Sequence, residues 1–188
     1  IGNSALSGSS AVNDGFRGMG VRAGERYLFS AQLRSAKSGV ASMRIELVSE
    51  NGQPIATATI SGIGAEWNEH TAVLEPNQTA AKARLVLSVT SPGKIDLDVV
   101  SLCPERTWKG RPRGVRADLV QLLAELKPAF LRFPGGCIVE GFDLEQRYQW
   151  KNTIGERHDR RLIKNRWNTE FAHRLTPDYY QSFALGFF

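Results

Sequence analysis

The sequence predicts a mixed fold of two unlike parts: an antiparallel β-sandwich of immunoglobulin or jelly-roll type over residues 1–103, then a piece of parallel α/β structure over residues 104–188. Three observations carry this. Apolar residues up to Leu102 recur with period two, in short runs separated by turn residues, with no helical stretch between them. Past Leu102 the pattern changes to one helix-spaced segment, a short apolar run and a glycine turn. The whole chain is 188 residues long, which is less than the roughly 250 that a closed (β/α)8 barrel needs.

In the first part, Tyr27, Phe29, Ala31 and Leu33 point one way while Leu28, Ser30, Gln32 and Arg34 point the other, as in a strand with one buried face. Met43, Ile45 and Leu47 repeat the pattern. Glu50-Asn51-Gly52-Gln53 then supplies a hairpin turn, and Ile55 to Ile60 the return strand. Trp67 to Leu74, Ala81 to Val89 and, after Ser91-Pro92-Gly93, Ile95 to Leu102 complete the set. In the second part, Thr107 to Gly114 reads as a connector. Leu119, Val120, Leu122, Leu123 and Leu126 share one face of a helix over Asp118–Lys127 that Pro128 stops. Ala129 to Phe133 reads as a buried strand running into Pro134-Gly135-Gly136, and Thr176-Pro177-Asp178 as the start of a further helix. One or two such αβ steps cannot close a sheet around a core, so the chain is expected to be a piece of something larger.

Composition narrows the function. No run approaches the ~18–20 apolar residues of a membrane span. The two cysteines, Cys103 and Cys137, have neither disulfide-framework nor zinc spacing, and His70, His158 and His173 stand alone and read as ordinary polar residues rather than metal ligands. The formal charge of +5 comes entirely from residues 104–188, which hold fifteen Lys and Arg against ten Asp and Glu, whereas residues 1–103 hold nine of each. Much of the excess falls in Arg157, Arg160, Arg161, Lys164 and Arg166. With Glu156 and Asp159 inside the run and no aromatic platform, it reads as a solvated or ion-paired loop, and no nucleic-acid partner is expected.

The segment richest in chemistry is Phe130 to Gly141. The carboxyl end of a parallel strand is where α/β enzymes place site residues, and paired glycines let a substrate approach the backbone. The other reading is a tight turn relieved by glycine, with Arg132 paired internally. Leu131-Arg132-Phe133-Pro134-Gly135-Gly136-Cys137, then Tyr148-Gln149-Trp150-Lys151-Asn152-Thr153-Ile154-Gly155, then Asn165-Arg166-Trp167-Asn168 together resemble the second strand and following loop of the α-L-arabinofuranosidases of glycoside hydrolase family 51. Residues 1–102 resemble, more loosely, the carbohydrate-binding-module-like sandwich found in bacterial members of that family.

The resemblance implies that residues 104–188 are part of a (β/α)8 catalytic barrel, whose remainder would be their partner. It implies a retaining hydrolase without cofactor that removes terminal arabinofuranosyl groups from arabinan- and arabinoxylan-type polysaccharides and oligosaccharides. It further implies a secreted or periplasmic bacterial enzyme, cytoplasmic location being the alternative. Retention needs two carboxyl groups about 5–5.5 Å apart. The family's two glutamates lie on later strands that this sequence does not reach, so it holds no catalytic residue of its own and is expected to be inactive alone; Glu140 reads as structural. Cys137 matches a sugar-contacting position, Gly135 and Gly136 would shape the pocket floor, and Arg132 and Asn152 would donate hydrogen bonds within or behind the site. Trp150 and Trp167 both lie in the following loop, where the family lines the pocket mouth with an aromatic residue: both are candidate substrate-binding residues, Trp167 being preferred and one of the two expected in the core. In the sandwich, Phe16, Tyr27, Phe29 and Trp67 all fall on faces read as buried, which favours packing; a non-catalytic carbohydrate-binding module is the alternative function.

Overall fold

The computed structural model describes residues 4–7, 10–36, 40–112, 114–130, 137–153, 155–156, 159–163 and 179–180. The chain divides into two compact units, Gly2–Arg113 and Gly114–Phe188.

The first unit contains strands β1 (Ser4–Ser7), β2 (Ser10–Asn13), β3 (Met19–Val21), β4 (Tyr27–Ser35), β5 (Ala41–Val48), β6 (Pro54–Ile63), β7 (Asn68–Leu74), β8 (Ala80–Val89) and β9 (Lys94–Pro104). One sheet runs β1-β9-β4-β7 and the other β2-β8-β5-β6, with β3 also on β8, and every pairing is antiparallel. Phe29, Ala31, Leu33 and Ile95 from the first sheet meet Met43, Ile45, Leu47, Ile60, Leu85 and Leu87 from the second in one buried cluster. These are the inward residues that the period-two pattern picks out, so the layered architecture follows directly from the sequence. The β5–β6 hairpin turns where expected. Gly52 takes φ +80°, its amide donates to the Ser49 carbonyl at 2.9 Å, and the Ser49 amide donates to that of Gln53 at 2.8 Å.

Strand β9 departs from simple alternation. Ile95 and Leu97 face the core, yet so do Val100 and Leu102, which have the opposite parity. A bulge reconciles them: the register with β4 shifts between Ser30 and Gln32. Val99 there adopts φ +47°, and its amide donates to the Asp98 carboxylate at 2.7 Å. One extra residue flips the strand, returning Val100 and Leu102 to the core.

Strands β1, β2 and β3 were not legible, because a serine- and glycine-rich segment carries little apolar period. Phe16 is not buried as expected. It sits in a turn between β2 and β3, 91% exposed, with the Arg17 guanidinium 5.6 Å from its ring centroid. Trp67 is half-buried rather than buried; Arg34 stacks 4.8 Å from the ring centroid and pairs with Asp96 at 2.8 Å. Tyr27 is half-buried and Phe29 fully buried. The Tyr27 hydroxyl accepts the Arg22 amide at 2.9 Å.

In the second unit, helix α1 spans Ala117–Glu125. Lys127 takes φ +44° just before Pro128, which ends the helix as expected. The apolar face forms, but none of its residues is buried: Leu119, Leu122, Leu123 and Leu126 are 50–74% exposed. Ala129 and Phe130 are irregular rather than extended, and the rest of the expected strand, residues 131–133, lies outside the described residues. Helix α2 is one turn, Cys137–Glu140. Leu162–Ile163 (β10) pairs antiparallel with Tyr179–Tyr180 (β11). The two tyrosines therefore correct the helix expected to open at Thr176-Pro177-Asp178. Adjacent aromatic side chains favour extended pairing.

Replacing Ile45, which is fully buried, by Ala is expected to cost about 2–5 kcal/mol, read from urea unfolding. Deleting one residue of the Val99-Val100 pair restores regular alternation along β9. That variant is expected to stay folded with stability within about 2 kcal/mol of the parent, whereas deleting Asp96 throws Ile95 and Leu97 out of register and abolishes the cooperative transition.

Candidate functional site

The elements around the candidate site belong to the second unit. Helix α1 is supported locally by charge. The Arg116 guanidinium donates to both Asp118 oxygens at 3.0 and 2.7 Å, Asp118 also accepts the Leu119 amide at 3.0 Å, and Gln121 donates to Glu125 at 3.0 Å one turn on. These contacts satisfy groups at the helix start and along its exposed side.

Of the sugar-binding residues expected from the sequence, Arg132, Gly135, Gly136 and Trp167 lie outside the described residues. Cys137 is the first residue of α2; its side chain is outside the described set as well. Glu140 closes the same turn and is exposed. Gly141 follows with φ +68°, and the chain loops through Asp143 to Tyr148, whose amide donates to the Val139 carbonyl at 3.0 Å. The Tyr148 hydroxyl is buried and has no hydrogen-bond partner among the described residues.

A 3-10 turn over Trp150–Thr153 comes next. The Asn152 amide donates to the Gln149 carbonyl at 2.9 Å, and the Thr153 hydroxyl donates to the Trp150 carbonyl at 2.6 Å. Thr153 is buried and Asn152 half-buried. Trp150, one of the two candidate aromatic residues, is 54% exposed.

The basic run is partly described. Arg161 pairs with Glu145 at 3.3 Å, and Arg160 donates to the Gly155 carbonyl at 2.9 Å. Arg157, Lys164 and Arg166 lie outside the described residues. The pairing is thus with Glu145, a residue the sequence reading had not connected to this run. Among the described residues no cluster of three or more His, Cys, Asp or Glu could hold a metal ion, and no helix is long and apolar enough to cross a membrane. The residues missed from sequence are Gly141, Asp143 and Tyr148 as a structural group. Their signal is an Asp two residues after a Gly, a turn pattern that begins at the last residue of the Phe130–Gly141 segment.

Comparison with known proteins gives these positions a context. Residues 122–184 match the family model described as the α-L-arabinofuranosidase 1 domain. α-L-Arabinofuranosidase 1 of Arabidopsis thaliana is 37% identical over 157 residues, 81% of this chain and 23% of that protein. An extracellular exo-α-L-arabinofuranosidase of Streptomyces chartreusis is 31% identical over 194 residues, 97% of this chain and 22% of that protein. Among solved structures, an arabinose-bound MgGH51 α-L-arabinofuranosidase superposes with a TM-score of 0.69 at 32% identity, covering 82% of this chain and 27% of that one. The chain spans 22–23% of the length of the first of these curated relatives. With three motifs in the family's order, a matching family model over the segment that holds them and a solved relative across both units, the chain belongs to the α-L-arabinofuranosidases of glycoside hydrolase family 51.

Proposed function

We propose that the protein carrying this chain is a retaining α-L-arabinofuranosidase that removes terminal arabinofuranosyl groups from arabinan- and arabinoxylan-type hemicellulose. The observation that carries this reading is the 32% identity, across 82% of the chain, to a family 51 enzyme solved with arabinose bound. In this reading residues 1–103 are a carbohydrate-binding-module-like jelly-roll sandwich, and residues 104–188 an early segment of a (β/α)8 catalytic barrel. The extracellular Streptomyces relative supports export of the protein.

Retaining glycoside hydrolysis needs one carboxylate as nucleophile and a second carboxyl as acid/base, about 5–5.5 Å apart, and no cofactor. Glu140 is a single exposed carboxylate at the end of a one-turn helix and cannot supply both roles. In this reading the catalytic pair comes from elsewhere in the protein, as the family resemblance implies, and this chain contributes part of the sugar-binding wall. Gly135 and Gly136 allow close approach of the ring, Cys137 touches it, and Arg132 and Asn152 offer hydrogen bonds. Trp167 lines the mouth with an aromatic face suited to sugar C–H groups. Trp150, being exposed, is available at the rim.

The intact protein is expected to release 4-nitrophenol from 4-nitrophenyl α-L-arabinofuranoside, with the α-anomer as first product by proton NMR, while the isolated 188-residue chain releases none. An inverted first product, no release by the intact protein, or normal turnover by the isolated chain would overturn the assignment. Trp167→Ala is expected to raise KM by about 10-fold and Trp150→Ala by less than about 3-fold, with kcat little changed, consistent with the loss of roughly 0.5–1.5 kcal/mol of aromatic contact. A larger effect at Trp150 would exchange their roles.

A further inference from the structure

Three of the candidate sugar-binding positions are tied into one hydrogen-bonded piece. Cys137 opens the single turn of α2, and Gly141 ends that turn at φ +68°. A Cβ on Gly141 would lie 2.5 Å from the Arg147 amide nitrogen and 2.6 Å from the Gln146 carbonyl carbon, both backbone atoms, so the returning loop rests directly on the Gly141 α-carbon. Asp143 fixes the return. Its carboxylate accepts the Gln146 amide at 2.8 Å, and its carbonyl accepts the amides of Gln146 and Arg147 at 3.2 and 3.1 Å. The Tyr148 amide then closes the circuit on the Val139 carbonyl at 3.0 Å, and the chain enters the turn that carries Trp150 and Asn152.

A helical segment of four residues does not hold its own geometry, since nucleation fixes several dihedrals for a single hydrogen bond. The orientation of α2 is therefore set by what it is fastened to. We propose that the Gly141, Asp143 and Tyr148 backbone clamp is the positioning device of the sugar-binding wall, setting where Cys137 stands relative to Trp150 and Asn152. This rests on the arabinofuranosidase reading above. None of the three needs to touch the sugar: Gly141 acts by having no side chain, Asp143 by capping the loop, and Tyr148 through its amide. Small displacements of such a wall are costly to substrate binding, because its contacts must be held close to their productive geometry, and with the reacting carboxylates placed elsewhere the loss is read chiefly in KM.

The test measures KM and kcat on 4-nitrophenyl α-L-arabinofuranoside in the intact protein for Cys137→Ala, Gly141→Ala, Asp143→Ala and Asp143→Asn, each beside its melting temperature. Cys137→Ala reports on the site reading itself: an unchanged KM there, or no activity in the parent, removes that reading and the clamp with it. If Cys137→Ala raises KM, the clamp predicts that Gly141→Ala raises KM by about 10-fold and Asp143→Ala by about 3-fold while kcat falls less than about 3-fold. Asp143→Asn, which keeps an acceptor oxygen, is expected to return KM to near the parent value. Lower melting temperature with unchanged KM in both Gly141→Ala and Asp143→Ala would make the loop merely structural and overturn the proposal. Should Gly141→Ala fail to fold, the Asp143→Ala and Asp143→Asn pair decides alone, by whether KM rises in the first and recovers in the second.

Discussion

Burial of Phe29, Leu33, Met43, Ile45 and Leu47 between two antiparallel sheets is the interaction from which the order in the first unit follows. Each of these side chains is fully buried, and each sits on a strand whose other face is mostly polar, so the same residues fix the strand register. The constraint is strict because side-chain direction alternates with period two and a slip of one residue exposes a whole face. The chain meets it even where its own sequence breaks the alternation. At Asp98-Val99 the β9 strand holds a β-branched residue in the left-handed region, a conformation that costs about 1–3 kcal/mol, and by this device keeps Val100 and Leu102 against the core.

The same parity explains how much of the fold could be read in advance. The six longest strands, the β5–β6 hairpin and helix α1 were legible because apolar spacing and turn residues agree there. Strands β1 to β3 were not, since Ser4–Ser7 and Ser10–Asn13 are short edge segments whose order comes from pairing with β9 and β8 rather than from their own composition. Phe16 was misread for a related reason: an aromatic residue signals burial only when its strand is identified, and this one is at a turn. Tyr179-Tyr180 shows the converse, where a good helix-start triplet is followed by residues that pair as strand.

The family relationship was legible as a set of motifs, whereas the geometry around α2 was not. Residue types and their order carry the first, whereas the arrangement that holds α2 depends on a backbone approach at Gly141 and a side-chain cap at Asp143, neither of which has an apolar period. Which of Trp150 and Trp167 faces the core was not legible, because a tryptophan between Gln149 and Lys151 gives no facing pattern to assign it. The leucines of α1 point to a complementary division of labour. Leu119, Leu122, Leu123 and Leu126 form a regular helical stripe that finds no cover among the described residues, as fits a chain spanning about a quarter of its relatives' length.

The central claim is that this chain builds part of an arabinofuranose-binding wall while the reacting carboxylates come from elsewhere in the protein. A crystal structure of the intact protein with L-arabinose bound tests it most directly. The account predicts Cys137 in van der Waals contact with the furanose ring, Trp167 at the pocket mouth, and two glutamates from outside these 188 residues about 5–5.5 Å apart across the anomeric carbon. A sugar bound with no contact from residues 132–167, or flanked by a catalytic carboxylate from within this chain, would contradict it.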